Sequence, residues 1–291
     1  MEKLKIVLYI VSSILLCSCA SQEKENNVAK ESLFAGSGLV AYWDFAGNSA
    51  LTSKGADEKH TLTPVGNVRV IDDSSSVSGS AIVLDGESYL KIPYEQTGSL
   101  NVKTGKVTVL AWVNKAEKSG IGFIAGMWNE YENGGKRQYG LFVSLPHYNG
   151  ADQVCGHISR KGAATYPFPY SIDYSASSQK VPFEKWTLVA FTYDGRHIRS
   201  YVDGKFGYRN PELIKHTTGY KGYPNGLVQS KNPYYFPDGI GDNGSDFTVG
   251  AVRLKRGMGN LYKGKIGAIA VYNRALSDAE ILEIYNKTKG K

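Results

Sequence analysis

The chain has 291 residues, of which 42% are hydrophobic and 21% charged, and 34 basic residues against 27 acidic ones give a formal net charge of +7. A chain of this length buries a core large enough to fold without disulfide staples. The basic residues are scattered and form no run, so composition argues against a nucleic-acid partner.

The first segment of the chain is apolar and follows two lysines. Residues 6–16 come directly after Lys3 and Lys5 and contain no charged residue. The stretch is shorter than a membrane-spanning helix and matches the apolar core of a signal peptide. Residues 1–18 are therefore predicted to be a signal peptide that is removed from the mature protein.

A cysteine motif closes this segment. Leu16-Cys17-Ser18-Cys19 resembles the lipobox of bacterial lipoproteins, with an apolar residue three positions before Cys19 and a small one just before it. The resemblance implies that Cys19 is the lipidated first residue of the mature chain, followed to residue 36 by a polar, flexible tether. We therefore expect an exported protein held on a bacterial membrane through lipid alone, at the outer membrane or the cell surface.

From residue 38 onward the sequence has the pattern of an all-β domain. Short runs rich in Val, Ile, Tyr, Phe and Trp are bounded by Gly, Asn, Asp or Pro, and they follow one another without helical periodicity, which predicts antiparallel sheets. Near the C-terminus, Ser277 and Glu280 form a capping-box pattern that predicts one short helix. The clearest runs are Leu39–Phe45, Val107–Val113, Phe123–Trp128, Tyr139–Leu145, Trp186–Tyr193, Ile198–Val202, Phe247–Val252 and Ile266–Tyr272.

The order of these runs is similar to that in laminin-G-like domains of the concanavalin A-like lectin/glucanase class. The resemblance implies a single two-sheet antiparallel jelly-roll sandwich over residues 37–291, with Trp43, Trp112 and Trp186 packed inside. It implies no single function, because such folds include lectins, adhesion modules, hydrolases and lyases. The segments that carry it are Leu39–Phe45, Gly79–Gly86, Val107–Val113, Trp186–Gly195, Tyr201–Gly204, Phe247–Gly250 and Gly264–Ser277.

Three segments between the strands hold the residue types that bind sugars. Residues 127–139, 157–174 and 208–246 combine aromatic rings with amides, carboxylates and arginine. Sugars present flat apolar faces edged by hydroxyl groups, so their sites need this mixture. The leading pair is Trp128 with Arg137. The ligand-binding candidates are Trp128, Glu130, Tyr131, Arg137, Gln138, Tyr139, His157, Tyr170, Tyr234 and Tyr235.

Catalysis is the alternative. Laminarinase-like relatives carry a Glu-x-Asp-x-(x)-Glu run, which Glu130-Tyr131-Glu132 approaches without the middle aspartate. Jelly-roll polysaccharide lyases use Arg, Gln or Asn to neutralise a uronate and His or Tyr to move protons. Arg137, Gln138, Tyr139 and His157 are of those types. The catalytic candidates of an enzyme are Glu130, Glu132 and His157.

Metal binding has weaker sequence support. The five histidines are dispersed, with no spacing typical of zinc. Calcium is the metal that the resemblance suggests, with Asp44, Asp57 and Asp242 as candidate ligands, but the first loop lacks the Asp-x-Ser-Gly sequence of many relatives.

Two functions stay open from the sequence: a non-catalytic surface lipoprotein that binds polysaccharide or oligosaccharide, and a glycoside hydrolase or polysaccharide lyase acting in the same cleft.

Overall fold

The computed structural model describes residues 34–118, 120–131, 134–145, 150–166, 168, 170–210, 212–214, 227–229 and 231–289. The predicted signal peptide, Cys19 and most of the tether lie outside the described residues, as does Glu132. No helix in the described part of the chain combines the length and apolar character needed to cross a bilayer.

The described residues are mainly β-strands. Two 3₁₀ turns (Tyr94–Gln96 and Gly98–Leu100) and the C-terminal helix α1 (Asp278–Thr288) accompany them. The strands in chain order are β1 (Leu39–Trp43), β2 (Thr63–Val65), β3 (Arg69–Asp72), β4 (Ser80–Asp85), β5 (Tyr89–Ile92), β6 (Val107–Lys115), β7 (Gly122–Met127), β8 (Tyr139–Leu145), β9 (Gly150–Ile158), β10 (Tyr174–Lys180), β11 (Trp186–Tyr193), β12 (His197–Val202), β13 (Lys205–Phe206), β14 (Glu212–Ile214), β15 (Leu227–Gln229), β16 (Tyr234–Tyr235), β17 (Phe247–Val249), β18 (Val252–Leu254), β19 (Gly257–Gly259) and β20 (Lys263–Tyr272).

Two antiparallel sheets form the body of the sandwich. The first sheet has the order β13-β12-β11-β6-β20-β4-β3, with β1 also paired to β20 and β16 to β12. The second has the order β10-β9-β8-β7-β17-β5-β2, and two separate hairpins, β14–β15 and β18–β19, complete the strands. The predicted all-β jelly-roll sandwich with a short C-terminal helix is confirmed.

Strand alternation builds the core between the sheets. Successive side chains of a strand point to opposite faces, so Val109 and Ala111 of β6 enter the same core as Val189 of β11, to which β6 is paired. Leu141 of β8 and Val154 of β9 enter it from the second sheet. Of the three tryptophans expected inside, Trp43 is fully buried in this core, Trp112 is buried on the opposite face of β6, and Trp186 is only partly buried.

Helix α1 covers the outer face of the first sheet. Ile281 and Ile284 pack in one cluster with Leu110 and Trp112 of β6, the residues that alternation turns away from the main core. Both faces of β6 are therefore buried, which explains why this strand is apolar along nearly its whole length. The helix begins at the predicted capping box, where Ser277 Oγ accepts from the Glu280 N–H at 3.3 Å and the Ser277 N–H donates to Glu280 Oε2 at 2.8 Å.

Hairpin β18–β19 covers part of the outer face of the second sheet. Val252 packs there with Phe123, Phe142 and Tyr174, and Leu254 lies against the same cluster. The run Phe247–Val252 predicts a single strand, whereas in the structure β17 ends at Val249 and the separate hairpin begins at Val252. The bend follows from Gly250, whose φ of +87° lies in the left-handed region that glycine favours and that ends β17.

Face-to-face packing of the sheets predicts that a larger residue at Gly156 of β9 destabilises the fold. A Cβ atom placed there would collide with the Phe191 side chain of the first sheet. We expect Gly156→Ala to lower the free energy of unfolding by about 1–3 kcal/mol, because the core cannot expand without strain. Urea denaturation measures this. Gly36→Ala is the control, since a Cβ at that residue would have no other atom within 4 Å. Equal stability of the two variants would contradict the packing.

Candidate functional site

The outer face of the second sheet carries several of the predicted site residues. In β9, Val154 and Ile158 point into the core between the sheets, so alternation turns Cys155 and His157 to the opposite face. Cys155 is buried, and this burial raises the pKa of its thiol, which argues against a reactive cysteine.

His157 lies inside an aromatic enclosure. Its ring centroid is 4.9 Å from that of Tyr174, 5.0 Å from that of Phe142 and 5.1 Å from that of Trp128. Neither ring nitrogen has a hydrogen-bond partner among the described residues. Burial, helped by the nearby positive charge of Arg137, lowers the pKa of His157 to about 3, so the imidazole is neutral at physiological pH.

Arg137, Glu130 and Trp128 form one polar cluster beside this enclosure. The Arg137 guanidinium is 2% exposed and lies 3.4 Å from Glu130 Oε2, with Nη1 donating to the Gly162 carbonyl at 3.1 Å. The indole Nε1 of Trp128 donates to Glu130 Oε1 at 2.9 Å, and the guanidinium carbon is 6.0 Å from the indole ring. Desolvation lowers the pKa of Arg137, against the opposing effect of Glu130. Both carboxylate oxygens of Glu130 are therefore occupied by partners within the protein.

Gln138 and Tyr139 have interior positions. The Tyr139 hydroxyl donates to the Leu100 carbonyl at 2.7 Å inside the core, and burial raises the pKa of this phenol. Gln138 Nε2 donates to Asn101 Oδ1 at 2.9 Å, and its Oε1 accepts from the backbone N–H groups of Asn243 and Ser245. Both side chains are fully buried, so they position neighbouring segments and expose no surface to a ligand.

Three other tyrosine candidates, Tyr170, Tyr234 and Tyr235, lie in other segments. Tyr234 and Tyr235 belong to edge strand β16, which pairs with β12 of the first sheet. The Tyr234 hydroxyl donates to Asp173 Oδ1 at 3.1 Å, whereas Tyr235 is 58% exposed beside His197. Tyr170 lies in the connection between β9 and β10, with its ring centroid 5.8 Å from that of Phe168. Tyr234 and Tyr235 therefore lie on the first sheet, whereas Trp128 follows β7 of the second.

A cleft opens on the outer face of the second sheet, beside the polar cluster. It has a volume of about 190 Å³ and lies between β5, β17, the Trp128–Asn129 segment and hairpin β18–β19. We call it the outer cleft. Its lining residues are Tyr89, Lys91, Trp128, Asn129, Ser245, Asp246, Thr248, Arg253 and Met258.

Strand register places the side chains on the β5 side of the cleft. Leu90 and Ile92 enter the core between the sheets, so Tyr89 and Lys91 project from the outer face. Asp246, which precedes β17, is fixed by the Tyr94 N–H, which donates to its Oδ1 at 2.9 Å.

The opposite wall is formed where hairpin β18–β19 meets the turn at residues 128–131. The Glu130 N–H donates to the Arg253 carbonyl at 2.9 Å, which ties the two segments together. The guanidinium carbon of Arg253 lies 5.9 Å from the ring of Tyr131, a side chain that is 43% exposed. Asn129 Oδ1 accepts from the Tyr131 N–H at 2.9 Å. An aromatic ring, an amide and a guanidinium therefore adjoin at this rim.

Sequence reasoning identified part of this constellation. It named Trp128, Glu130 and Tyr131. Trp128 lines the cleft, but this residue is only 2% exposed, so its ring offers no open face on which a sugar could stack. It missed Tyr89, Lys91, Asp246 and Arg253. The alternation of Tyr89-Leu90-Lys91-Ile92 was the one available signal, because it places Tyr89 and Lys91 on a common face.

The calcium candidates do not converge. Asp44 holds Lys54 at 2.7 Å, and Asp242 Oδ1 accepts from the Tyr94 hydroxyl at 2.8 Å and from Asn101 Nδ2 at 2.9 Å. Asp57 is exposed. Within the described ranges, no three His, Cys, Asp or Glu side chains are grouped closely enough to hold a metal ion.

Comparison with known proteins supports the fold. Residues 84–219 match the family model for the concanavalin A-like lectin/glucanases superfamily, and no curated protein matches the sequence. Domain 4 of AbnA, a GH43 extracellular arabinanase from Geobacillus stearothermophilus, solved in complex with arabinotriose, is 17% identical with a TM-score of 0.55 over 85% of this chain and 98% of that domain. The predicted laminin-G-like, concanavalin A-like resemblance is confirmed.

A second structural neighbour is the binding domain of botulinum neurotoxin DC in complex with SialylT. It is 10% identical, with a TM-score of 0.56, over 87% of this chain and 52% of that one. This chain therefore spans about half the length of the neurotoxin fragment. At these identities both likenesses concern the fold.

The buried imidazole of His157 predicts a pH effect on stability. Its pKa is about 3 in the folded protein, against an ordinary value of 6.5, so between these pH values the unfolded chain binds a proton that the folded protein does not. The free energy of unfolding should therefore fall as pH decreases below 6.5. We expect the native protein to lose about 2 kcal/mol more than His157→Phe between about pH 7.5 and about pH 5, measured by urea denaturation. Parallel losses in both proteins would refute the assignment.

Proposed function

We propose that this concanavalin A-like sandwich is a non-catalytic carbohydrate-binding protein whose ligand occupies the outer cleft. The observation that carries the proposal is the composition of the cleft, where the aromatic ring of Tyr89 shares the lining with the amide of Asn129, the carboxylate of Asp246 and the guanidinium of Arg253. The exposed Tyr131 ring lies beside Arg253 at the rim. The arabinanase domain of the same fold, solved with arabinotriose, lends support from outside the chain.

The chemistry of the cleft suits a sugar. A pyranose or furanose ring can lay its C–H face on a tyrosine ring, while its hydroxyl groups donate to Asp246 and accept from Arg253. Asn129 can do both. The volume of about 190 Å³ is enough for about one sugar residue, so a longer chain would extend beyond the cleft over the exposed Tyr131 ring.

The placement of the catalytic candidates favours binding over catalysis. Retaining hydrolysis needs two carboxyl groups about 5–5.5 Å apart. Asp246 is the sole carboxylate among the described residues that line the cleft, and the nearby Glu130 is engaged by Arg137 and Trp128. His157, the proposed proton carrier of a lyase, is 4% exposed.

The proposal predicts the effect of removing the tyrosine rings. We expect Tyr89→Ala and Tyr131→Ala each to weaken glycan binding about 10-fold, because loss of a stacked ring costs roughly 1–1.5 kcal/mol. A glycan array followed by calorimetry on the exported, detergent-solubilised protein measures this. Tyr208→Ala is the matched control, since this ring is 68% exposed and does not line the cleft. Undiminished binding by both cleft variants would rule out the site.

The same ligands decide between binding and catalysis. Reducing-end and unsaturated-product assays on every bound glycan should show no turnover. Product formation that is lost in Glu130→Gln or His157→Ala would replace this proposal with a hydrolase or a lyase.

Membrane attachment through Cys19 is the second part of the proposal. Its support is the Leu16-Cys17-Ser18-Cys19 sequence after the apolar segment, together with the polar residues that follow. Lipid at this position would hold the sandwich near a bacterial outer membrane or cell surface, with the tether as spacer.

We expect Cys19→Ser to abolish incorporation of a labelled fatty acid and to move the protein from the membrane fraction to the soluble fraction. The measurement is metabolic labelling with fractionation of bacterial cells. Cys17→Ser is the matched control, because Leu16 stands directly before Cys17 in place of the required small residue. Equal labelling of both variants would refute lipidation at Cys19.

A further inference from the structure

We propose that the ligand of the outer cleft is an anionic sugar, one that carries a carboxylate or a sulfate ester. This inference rests on the proposed function and concerns the charge of the same site. It derives from two cations that line the cleft without an acidic partner, and from a hairpin whose charged side chains are all basic.

Lys91 is the first of these cations. It projects from β5, and its register neighbours are Thr63 on β2 and Thr248 on β17. Charged residues on a sheet face commonly stand opposite a side chain of the other sign. Lys91 instead stands between two hydroxyl-bearing residues and makes no ion pair among the described residues, so its ammonium group is available to the cleft.

Arg253 is the second. Its guanidinium packs over the ring of Tyr131 at 5.9 Å, and no carboxylate of the described chain lies within ion-pair distance. This distance is that of a cation–π contact, which uses the face of the guanidinium and leaves the N–H donors at its edge to bind carboxylate or sulfate oxygens in a bidentate way.

The hairpin that contains Arg253 is basic throughout. Residues 252–259 include Lys255 and Arg256 at the exposed turn, and no acidic residue. None of its cations forms an ion pair with a described residue. The turn therefore adds positive potential at the rim of the cleft, which attracts anionic ligands from solution.

The carboxylates near the cleft do not cancel this charge. Asp246 is the one acid in the lining, against Lys91 and Arg253. Glu130 is neutralised by Arg137 at 3.4 Å. The lining thus has an excess of one positive charge, which a single acidic group on the sugar would balance, while Asp246 remains to accept from neutral hydroxyl groups.

The test compares each acidic oligosaccharide with its neutral counterpart on the same ring. Tetramers of galacturonate and of alginate are measured beside their methyl esters, and a κ-carrageenan tetramer beside its desulfated form. The exported, detergent-solubilised protein is used in calorimetry at low salt and at about 0.5 M salt, where the Debye length is only about 4 Å. The uronate and sulfate pairs separate the two sources of negative charge.

We expect at least one acidic member to bind about 10-fold or more tightly than its neutral counterpart, with that advantage reduced at high salt. In the double variant Lys91→Gln, Arg253→Gln the advantage should fall below about 3-fold. Lys91→Arg should retain most of it, because the charge at this position remains. Lys106→Gln, an exposed lysine away from the lining, should leave it unchanged.

Neutral counterparts that bind as tightly as the acids would overturn this inference and leave the proposed function standing. If the acidic oligosaccharide still binds more tightly than its neutral counterpart in the double variant, the inference is also overturned, because other residues would then bind the anionic group. Failure of every acidic and every neutral glycan to bind the folded protein would overturn both the inference and the proposed function.

Discussion

The buried charge of Arg137 is the constraint on which the outer cleft depends. A guanidinium taken out of water is costly unless its charge is balanced, and here Glu130 supplies the opposite charge while the Gly162 carbonyl accepts from Nη1. The buried Nε has no hydrogen-bond partner among the described residues. The Trp128 indole donates to the Glu130 carboxylate. These contacts fix the side chains of Trp128 and Glu130 against the sheet. Asn129, which lies between them in the chain, lines the cleft, and Tyr131, which follows them, lies at its rim.

Incomplete covering of the second sheet explains why the outer cleft lies where it does. On the first sheet, helix α1 packs its apolar residues over the outer face of β6. On the second sheet, Val252 and Leu254 of hairpin β18–β19 pack in one cluster with Phe123 and Phe142, but the hairpin leaves the outer face of β5 accessible at Tyr89 and Lys91. The hairpin therefore has two roles: its apolar residues complete a small core, and Arg253 forms a wall of the site.

Polar residues that suggest catalysis in the sequence have structural roles in the fold. Gln138 holds the segment containing Asn243 and Ser245, and the Tyr139 hydroxyl holds Leu100. His157 is enclosed by aromatic rings and stays neutral. Gln138 and Tyr139 are thus buried hydrogen-bonding groups, of the kind that pair with polar atoms brought inside a fold. This distribution favours binding as the function of the cleft.

The sequence by itself determined the fold class. Alternating apolar runs specify strands, and the capping box at Ser277 and Glu280 specifies the start of α1, because both depend on side chains close together in the chain. It also marked the segment around Trp128 and Tyr131 as a candidate site, since aromatic and polar residues are neighbours there.

Only the tertiary structure decided which residues share the site and which face the interior. Lys91, Asp246 and Arg253 are distant in sequence and meet because β5 pairs with β17 and the hairpin folds over them. Whether Arg137 and His157 face solvent depends on what packs above the second sheet, which no local pattern encodes. Pairing between distant strands and the covering of a sheet face are long-range properties, and they set the composition and the charge of the cleft.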